Sequence, residues 1–428
     1  MTIDTSARSH SAVYGWYVVA VLMFCQTLAS LDAKLPFILV ESIKHDLSLS
    51  DTQIGLITGP AFSLTYAIAA IPIAKFSDRG VRVHIISGAI VLWSALTALG
   101  GFALGIMTLV LSRTGVAIGE AALLPASHSI IADYTDKASR PKAIAIYSLG
   151  LAIGAFLALS LGGYLNDRFG WRATLFIIGA SGLAISLLVF ITVREPKRDW
   201  TTGARESPKG DILSLFRNKP VRNLILGGTL VGIGAGALSG WAPAYIMRTF
   251  HLTATETGAT YGAIAGAVGV IGILCGGFVA GWFAQRAPRN TFYLLAICLL
   301  VAMVAQMGSL LTGSYGLFIV LSAVSTLLLA SYIAPTYATV QTLVDPGARS
   351  FAAAVTLFSI NGVGFAAGAF FCGWLSDLLR PHYGTNSLKI ALLILSVFLF
   401  WSAVHYILVG RHLPDTVEQS RRDGCRYV

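Results

Sequence analysis

Charge is what this sequence has least of. Asp, Glu, Lys and Arg make up 12% of its 428 residues, against 55% hydrophobic ones, where a soluble domain carries about 25% charged residues. With a mean hydropathy of +0.74, that shortage excludes an ordinary soluble domain and points to an integral membrane protein. Cysteine is scarce too. Cys25, Cys275, Cys298, Cys372 and Cys425 lie in apolar runs or in the tail, without metal-ligand spacing or a readable disulfide framework. The opening stretch MTIDTSARSHSAVYGW lacks the basic region, apolar stretch and cleavage site of a signal peptide. The first apolar run is therefore expected to stay and to insert the protein.

Catalytic sets are missing as well. His128 and Asp133 in HSIIAD resemble the spacing of an acyltransferase H-x4-D pattern, but no soluble catalytic domain surrounds them and no nucleophile with its base is readable. Neither the central polar segment nor the tail RRDGCRYV is long enough to fold as a sensor's output domain. No enzyme, metal site or bound cofactor is expected.

What is present is a series of long apolar runs and 44 glycines, small residues that let membrane helices approach closely. A hydrocarbon core about 30 Å thick needs roughly 20 apolar residues per helix. On that rule the chain has twelve spans, about 14–40, 52–76, 84–104, 107–131, 141–165, 172–193, 222–248, 255–284, 291–312, 315–343, 349–376 and 387–410. The fold class is all-α integral membrane. Polar residues 194–221, with Pro196, Pro208 and Pro220, read as a linker between six-helix bundles at 14–193 and 222–410, flanked by an arm at 1–13 and a tail at 411–428.

The halves look duplicated. Arg79 and Arg82 match Arg286 and Arg289 at an offset of 207; Asp136 and Arg140 match Asp345 and Arg349 at 209; GYLND, ending in Asp167, matches GWLSD, ending in Asp377, at 210. Three correspondences at nearly one offset, in equivalent loops, indicate two copies of one six-helix unit related by pseudo-two-fold symmetry. Lys and Arg fix the orientation: 22 fall on the side of the termini and six on the other, so both termini are expected in the cytoplasm. The same asymmetry accounts for the net charge of +10 without a nucleic acid partner.

Four charged residues fall well inside spans: Asp32, Lys34, Arg113 and Glu120. Each costs about 2.5–3.5 kcal/mol at a helix centre, so such groups face a polar cavity or a partner. Asp32 and Lys34 lie about 200° apart around one helix, whereas Arg113 and Glu120 share a face about 10 Å apart in height. Counting depth along the first and fourth spans puts Asp32 and Arg113 at a similar level and Glu120 near the midplane. A static ion pair is one reading. The sharper one is a titratable set, because leaving water favours a protonated carboxyl while a nearby guanidinium favours the ionised one. Lys34 either snorkels outward or lines a cavity.

Softer candidates follow. Asp78, Arg79 and Arg82 in KFSDRGVR form a loop cluster that reads as a cytoplasmic gate or as positive-inside flanking. Trp241 and Tyr245 in GWAPAYIM, with Asn361, are candidate cavity residues. Gln26, Gln341 and Asn361 serve equally well as interhelical hydrogen-bonding groups.

Twelve spans, duplicated halves, a central linker and DRGVR after the second span resemble the major facilitator superfamily. Within it, SLSDTQIGLITGPAFSLTYAIAAIPIAKFSDR, RTGVAIGEAALLPASHSIIADY and GGYLNDRFGWRATLFIIG are similar to the spinster-like branch, over roughly residues 14–410. That resemblance implies proton coupling through Asp32, Arg113 and Glu120, with protons as the coupling ion, and an amphiphilic cargo of the lysolipid or sphingolipid class. Departures are visible. Ala33 follows the first-helix acid where the branch often has Arg, Val81 stands where the loop motif has Gly, and GLAIGAFLALSLGG lacks the proline of the drug-antiporter motif.

The expectation is a proton-coupled secondary transporter working by alternating access, a monomer in the plasma or inner membrane, in contact with lipid. Within transport the alternative is a small organic anion held by Arg113; a membrane sensor or embedded enzyme is the alternative outside it. The 22-to-six asymmetry predicts that a cysteine placed at Gly80 reacts with an impermeant thiol reagent only after intact cells are opened. Ready labelling from outside would overturn the topology.

Overall fold

The computed structural model describes residues 12–77, 80–136, 138–196, 211–284 and 287–424. Among these, ten helical stretches are long and apolar enough to cross a bilayer: Val13–Asp46, Asp51–Ala74, Arg82–Gly100, Ile106–Tyr134, Arg140–Thr192, Lys219–Phe250, Ala254–Phe283, Arg289–Leu311, Tyr315–Thr342 and Arg349–Leu413. Two are far longer than one crossing, at 53 and 65 residues. Gly170 breaks the first at φ 81° and Gly384 the second at φ 54°, left-handed angles that glycine adopts without a Cβ clash. Each long stretch is therefore two spans joined by a tight turn, which gives the twelve expected.

Two boundaries differ from expectation. The segment entering the seventh span is partly helical, with a short helix at Ile212–Arg217 and the span itself beginning at Lys219. The Asn218 side chain accepts the Val221 N–H at 3.3 Å, an N-cap, and Pro220 sits in the first turn where its missing N–H costs nothing. Residues 197–210 of the expected linker lie outside the described residues. The last helix runs to Gly424 instead of stopping near 410; its end is polar in sequence, and a helix can continue into water once it has left the bilayer.

The described chain begins at Ala12 and ends at Gly424 at one end of the bundle, here called proximal; the turns at 47–50, 170, 251–253 and 384–386 mark the distal end. The apolar core shows how the halves meet. One cluster belongs to the N-terminal half alone, around Leu22, Trp93 and Ile130, and another to the C-terminal half, around Leu224, Phe292 and Tyr406. The third joins both halves distally, through Leu35, Ile38 and Ile54 with Leu238, Trp241 and Leu392. The side chains on the perimeter are apolar and exposed, among them Leu104, Ile191 and Phe278, as lipid contact requires.

Hydrogen bonds between the halves, among the described residues, all lie at this distal seal, and they follow a repeat. SDTQIG (50–55) and TATETG (253–258) open the second and eighth spans. Each begins with a capping box: Ser50 Oγ accepts the Gln53 N–H at 3.2 Å, and Thr253 Oγ1 the Glu256 N–H at 3.2 Å. Each head is then capped a second time by the other half. Asp377 accepts the Asp51 and Thr52 N–H groups at 3.1 and 2.7 Å and the Thr52 hydroxyl at 2.6 Å. Asp167 accepts the Thr255 N–H and hydroxyl, both at 2.7 Å. One turn before each aspartate stands a glycine, Gly163 or Gly373, where a Cβ would run into the carbonyl of Ala254 or Asp51. The close approach therefore needs glycine at both places.

The two seams are not identical. Where the eighth span has Ala254, the second has Asp51, whose carboxylate accepts Arg248 at 2.8 and 2.9 Å and Ser376 Oγ at 2.7 Å, with Lys44 also paired to it. Arg248 reaches on to Glu41 at 2.7 Å. The seam between the second and eleventh spans thus carries a charged network, and the seam between the fifth and eighth only the cap.

Removing a capping side chain costs about 1 kcal/mol, roughly a fivefold shift in equilibrium. Asp377→Ala should therefore lower the distally closed population by about that factor. Spin labels at Ser48 and His251, both exposed at the distal end, in a background without the native cysteines, measure it as a longer distance between halves. An unchanged distribution would show that the caps do not hold the seal.

Candidate functional site

The four intramembrane charges separate by the face of the helix that carries them. Asp32, 1% exposed, points into the N-terminal half. Its carboxylate accepts Arg113 Nη1 at 2.9 Å and the Thr97 hydroxyl, and Arg113 Nη2 also reaches the Asp32 carbonyl at 3.4 Å. The first, third and fourth spans are thereby tied at one point. Arg113 has a further neighbour in the second span: its guanidinium lies 4.8 Å from the centre of the Phe62 ring, within cation–π range. Its Nε–H is buried without a hydrogen-bond partner.

Glu120 is the counterpart without a cation. It is 4% exposed, and its Oε1 has no hydrogen-bond partner. It ends the helix Ile106–Glu120, after which the chain turns at Ala121 and Ala122 and resumes as Leu123–Tyr134, with Pro125 in the resumed helix unable to donate to the turn before it. Two acids and one guanidinium therefore share a region removed from water. A buried unpaired carboxylate costs several kcal/mol unless it takes a proton or gains a partner.

Lys34 faces the other way, as its helical position requires. Its ammonium lies 5.8 Å from the Phe37 ring centre and 5.9 Å from that of Phe365 in the eleventh span. It therefore sits between the halves and does not snorkel to the surface. Asn361 is exposed one turn before Phe365.

The structure puts Trp241 and Tyr245 elsewhere than in a cavity. Both are almost fully buried in the core that joins the halves. Trp241 Nε1–H donates to the Ala369 carbonyl at 2.9 Å, and the Tyr245 hydroxyl to that of Leu310 at 2.9 Å. Aromatic rings beside Pro243 looked like cavity lining in sequence because nothing local shows that the halves close over them.

Arg82 is buried in a cluster confined to the N-terminal half: Nε donates to Glu195 at 2.8 Å, and Nη1 to Ser129 at 2.7 Å, with Asp133 paired at 2.6 Å. It pins the proximal ends of the third and fourth spans to the segment after the sixth. Asp78 and Arg79, its partners in the expected gate, lie outside the described residues. The pairing of Asp133 with Arg82 also removes it from His128, whose ring packs against Tyr147 at 5.4 Å. Gln26 accepts the Tyr147 hydroxyl within the bundle, and Gln341 is exposed.

Sequence reading missed Thr97, Phe62 and the Arg248–Asp51 network. Thr97 and Phe62 are ordinary residues of apolar spans and carry no signal. The distal heads do carry one: [S/T]-x-T-[Q/E]-x-G occurs at 50–55 and again 203 residues later.

Comparison with known proteins follows this geometry. The family model described as Major Facilitator Superfamily matches residues 22–360. An MFS-type efflux pump of Mycolicibacterium smegmatis is 34% identical over 424 residues, covering 98% of both chains. A sphingosine-1-phosphate transporter of Danio rerio is 26% identical, covering 81% of this chain and 73% of the relative. Among solved structures, a bacterial homolog of the human lysosomal transporter Spinster, in an inward-facing and unoccupied conformation, superimposes with a TM-score of 0.86 at 29% identity, over 95% of this chain and 99% of that one.

Breaking a buried pair by removing one partner costs about 3–5 kcal/mol. Arg113→Ala leaves two buried acids without a cation, whereas Asp32→Asn leaves Arg113 beside Glu120 and keeps a hydrogen-bonding side chain, so Arg113→Ala should lower the thermal unfolding midpoint in detergent by several degrees more. Midpoints of both variants equal to that of the wild type would mean that the pair does not organise these helices.

Proposed function

The chain belongs to the Major Facilitator Superfamily, in its spinster-like branch, and we propose that it is a proton-coupled secondary transporter of an amphiphilic, lipid-like molecule. The observation that carries this reading is the pairing of Asp32 with Arg113 beside an unpartnered Glu120. One cation serves two acids inside the membrane, so only one acid at a time is compensated. A shift of Arg113 toward Glu120 releases Asp32 to take a proton; its return does the reverse. Titration of either acid is thereby linked to a movement of the helices that hold them.

Alternating access is supported by the way the halves meet. They share a core and hydrogen bonds distally and keep separate cores proximally. With the termini in the cytoplasm this is an inward-facing state. The cargo class rests on the relatives named as sphingosine-1-phosphate and Spinster transporters, and the efflux pump at 34% identity favours export. The protein works as a monomer in the plasma or inner membrane on this reading, with protons as the only coupling ion.

A second reading, a small organic anion, was expected to use Arg113 as its cation. Arg113 is held by Asp32 and covered by Phe62; the ammonium that an anion meets between the halves is that of Lys34. On this reading an anionic head group of either cargo class makes its contact with Lys34.

The test is reconstitution in liposomes with an imposed pH gradient, screening lysophospholipids, sphingoid bases and organic anions. For a cargo found in this way, Glu120→Gln should abolish accumulation against a gradient while exchange of labelled for unlabelled cargo continues, because exchange needs no net proton cycle. Retained accumulation with the wild-type pH dependence would remove Glu120 from the proton path.

A further inference from the structure

The Arg113 pair and the surface between the halves are connected by one piece of backbone. The second span leaves α-helical geometry at Gly59 (φ −104°, ψ −96°) and runs as π-helix over Pro60–Leu64. Proline has no N–H to give the preceding turn, so the ladder opens there, and single π turns in membrane helices concentrate at functional positions.

One side of this segment faces the N-terminal half. Phe62 lies beneath the Arg113 guanidinium at 4.8 Å, Tyr66 stacks on Phe62 at 6.1 Å, and the Thr114 hydroxyl donates to the Ala61 carbonyl at 3.3 Å. The other side abuts the eleventh span. A Cβ on Gly59 would come within 2.6 Å of the Ala366 carbonyl, and one on Gly362 within 2.7 Å of the Ala67 methyl. The eleventh span is itself π-helical over Phe358–Phe365 at this contact.

The eighth span carries the corresponding π segment, Ile264–Val268, against the fifth, where a Cβ on Gly266 would lie 2.9 Å from the Ala152 carbonyl. Its sequence is IAGAV, against PAFSL in the second span, and at the 203-residue offset of the two heads Ala265 stands where Phe62 does. Both copies meet the other half; only the copy beside the arginine carries a ring.

We propose that Phe62 is a positioning residue that transmits the separation of the halves to the Asp32–Arg113 pair. The inference rests on the proton-coupled reading above. With the eleventh span seated on Gly59, the π turn is held and the ring keeps the guanidinium on Asp32. When the distal seal opens, Gly59 loses that support, the segment is free to return to α-helical geometry, and Phe62 rotates off Arg113. The guanidinium is then free to leave Asp32, which takes a proton. The groups that face Arg113 are Asp32 from the first span, the Thr97 hydroxyl from the third, Phe62 with Tyr66 behind it from the second, and Glu120 two turns lower on its own helix.

The experiment needs no known cargo. Spin labels at Ser48 and His251 report the distal distance in nanodiscs as pH is varied, for the wild type, Phe62→Leu and Phe62→Tyr. The wild type should show a titratable change between closed and open distances. Phe62→Leu keeps bulk and removes the ring, so its midpoint should move up by about one pH unit, the tenfold effect of losing a desolvated cation–π contact; Phe62→Tyr should restore it. Phe62→Met serves in the same way if the leucine variant fails to fold. A wild type with no pH response overturns both the proton-coupled reading and this inference. A wild-type response that Phe62→Leu and Phe62→Met both retain, with the same midpoint, overturns the inference alone.

Discussion

A carboxylate taken out of water must be met by a cation, a hydrogen-bond donor or a proton, and most of this structure can be read as answers to that demand. Asp32 is met by Arg113 and Thr97, which ties three helices of one half together. Asp51 is met by Arg248, Lys44 and Ser376, which ties one half to the other. Asp377, half-buried, and Asp167, exposed, are under less of that demand, and they are met by backbone N–H groups at helix starts, where the partial positive charge of the helix end adds to the hydrogen bonds. Among the described residues Glu120 is the one buried acid with no such answer for an oxygen, Oε1, and it is the acid that the proposed function depends on most.

The same demand divides the labour between helix faces. The first span places Asp32 toward its own bundle and Lys34 toward the opposite one, so a carboxylate and an ammonium occupy one helix without neutralising each other. That arrangement needs only the helical pitch: two residues of separation are enough to put the groups on opposite sides. Where the branch to which this chain belongs often has Arg beside the acid, Ala33 stands here, and the cation one position later lies on the face that meets Phe365.

Much of this was legible from residues alone. Run length and charge placement give the twelve spans, because the cost of unpaired backbone and charge in hydrocarbon leaves few alternatives. The contact between Asp32 and Arg113 follows from depth counting, since charged groups at one level in a membrane have few other partners. Trp241 and Tyr245 were misplaced because whether a ring lines a cavity or a seal depends on the conformational state, which no local pattern encodes. Lys34 was left open between two roles for the same reason: its partner ring, Phe365, comes from the other half, 331 positions on. The extended final helix was cut short because a hydropathy rule sees where the bilayer ends and not where helical hydrogen bonding does.

The reciprocal caps at the distal seal have the form of an isologous contact, in which one surface carries both the donor and its acceptor and meets a copy of itself. A single six-helix unit bearing the head [S/T]-x-T-[Q/E]-x-G and the acceptor G-x-x-x-D would satisfy both seams by pairing with a second molecule of the same unit. Fusion into one chain removes the obligation to be identical. It permits Asp51 on one seam and Ala254 on the other, Phe62 in one π turn and Ala265 in its mate. The difference between the copies, rather than their likeness, is where a joined pair of halves gains a direction.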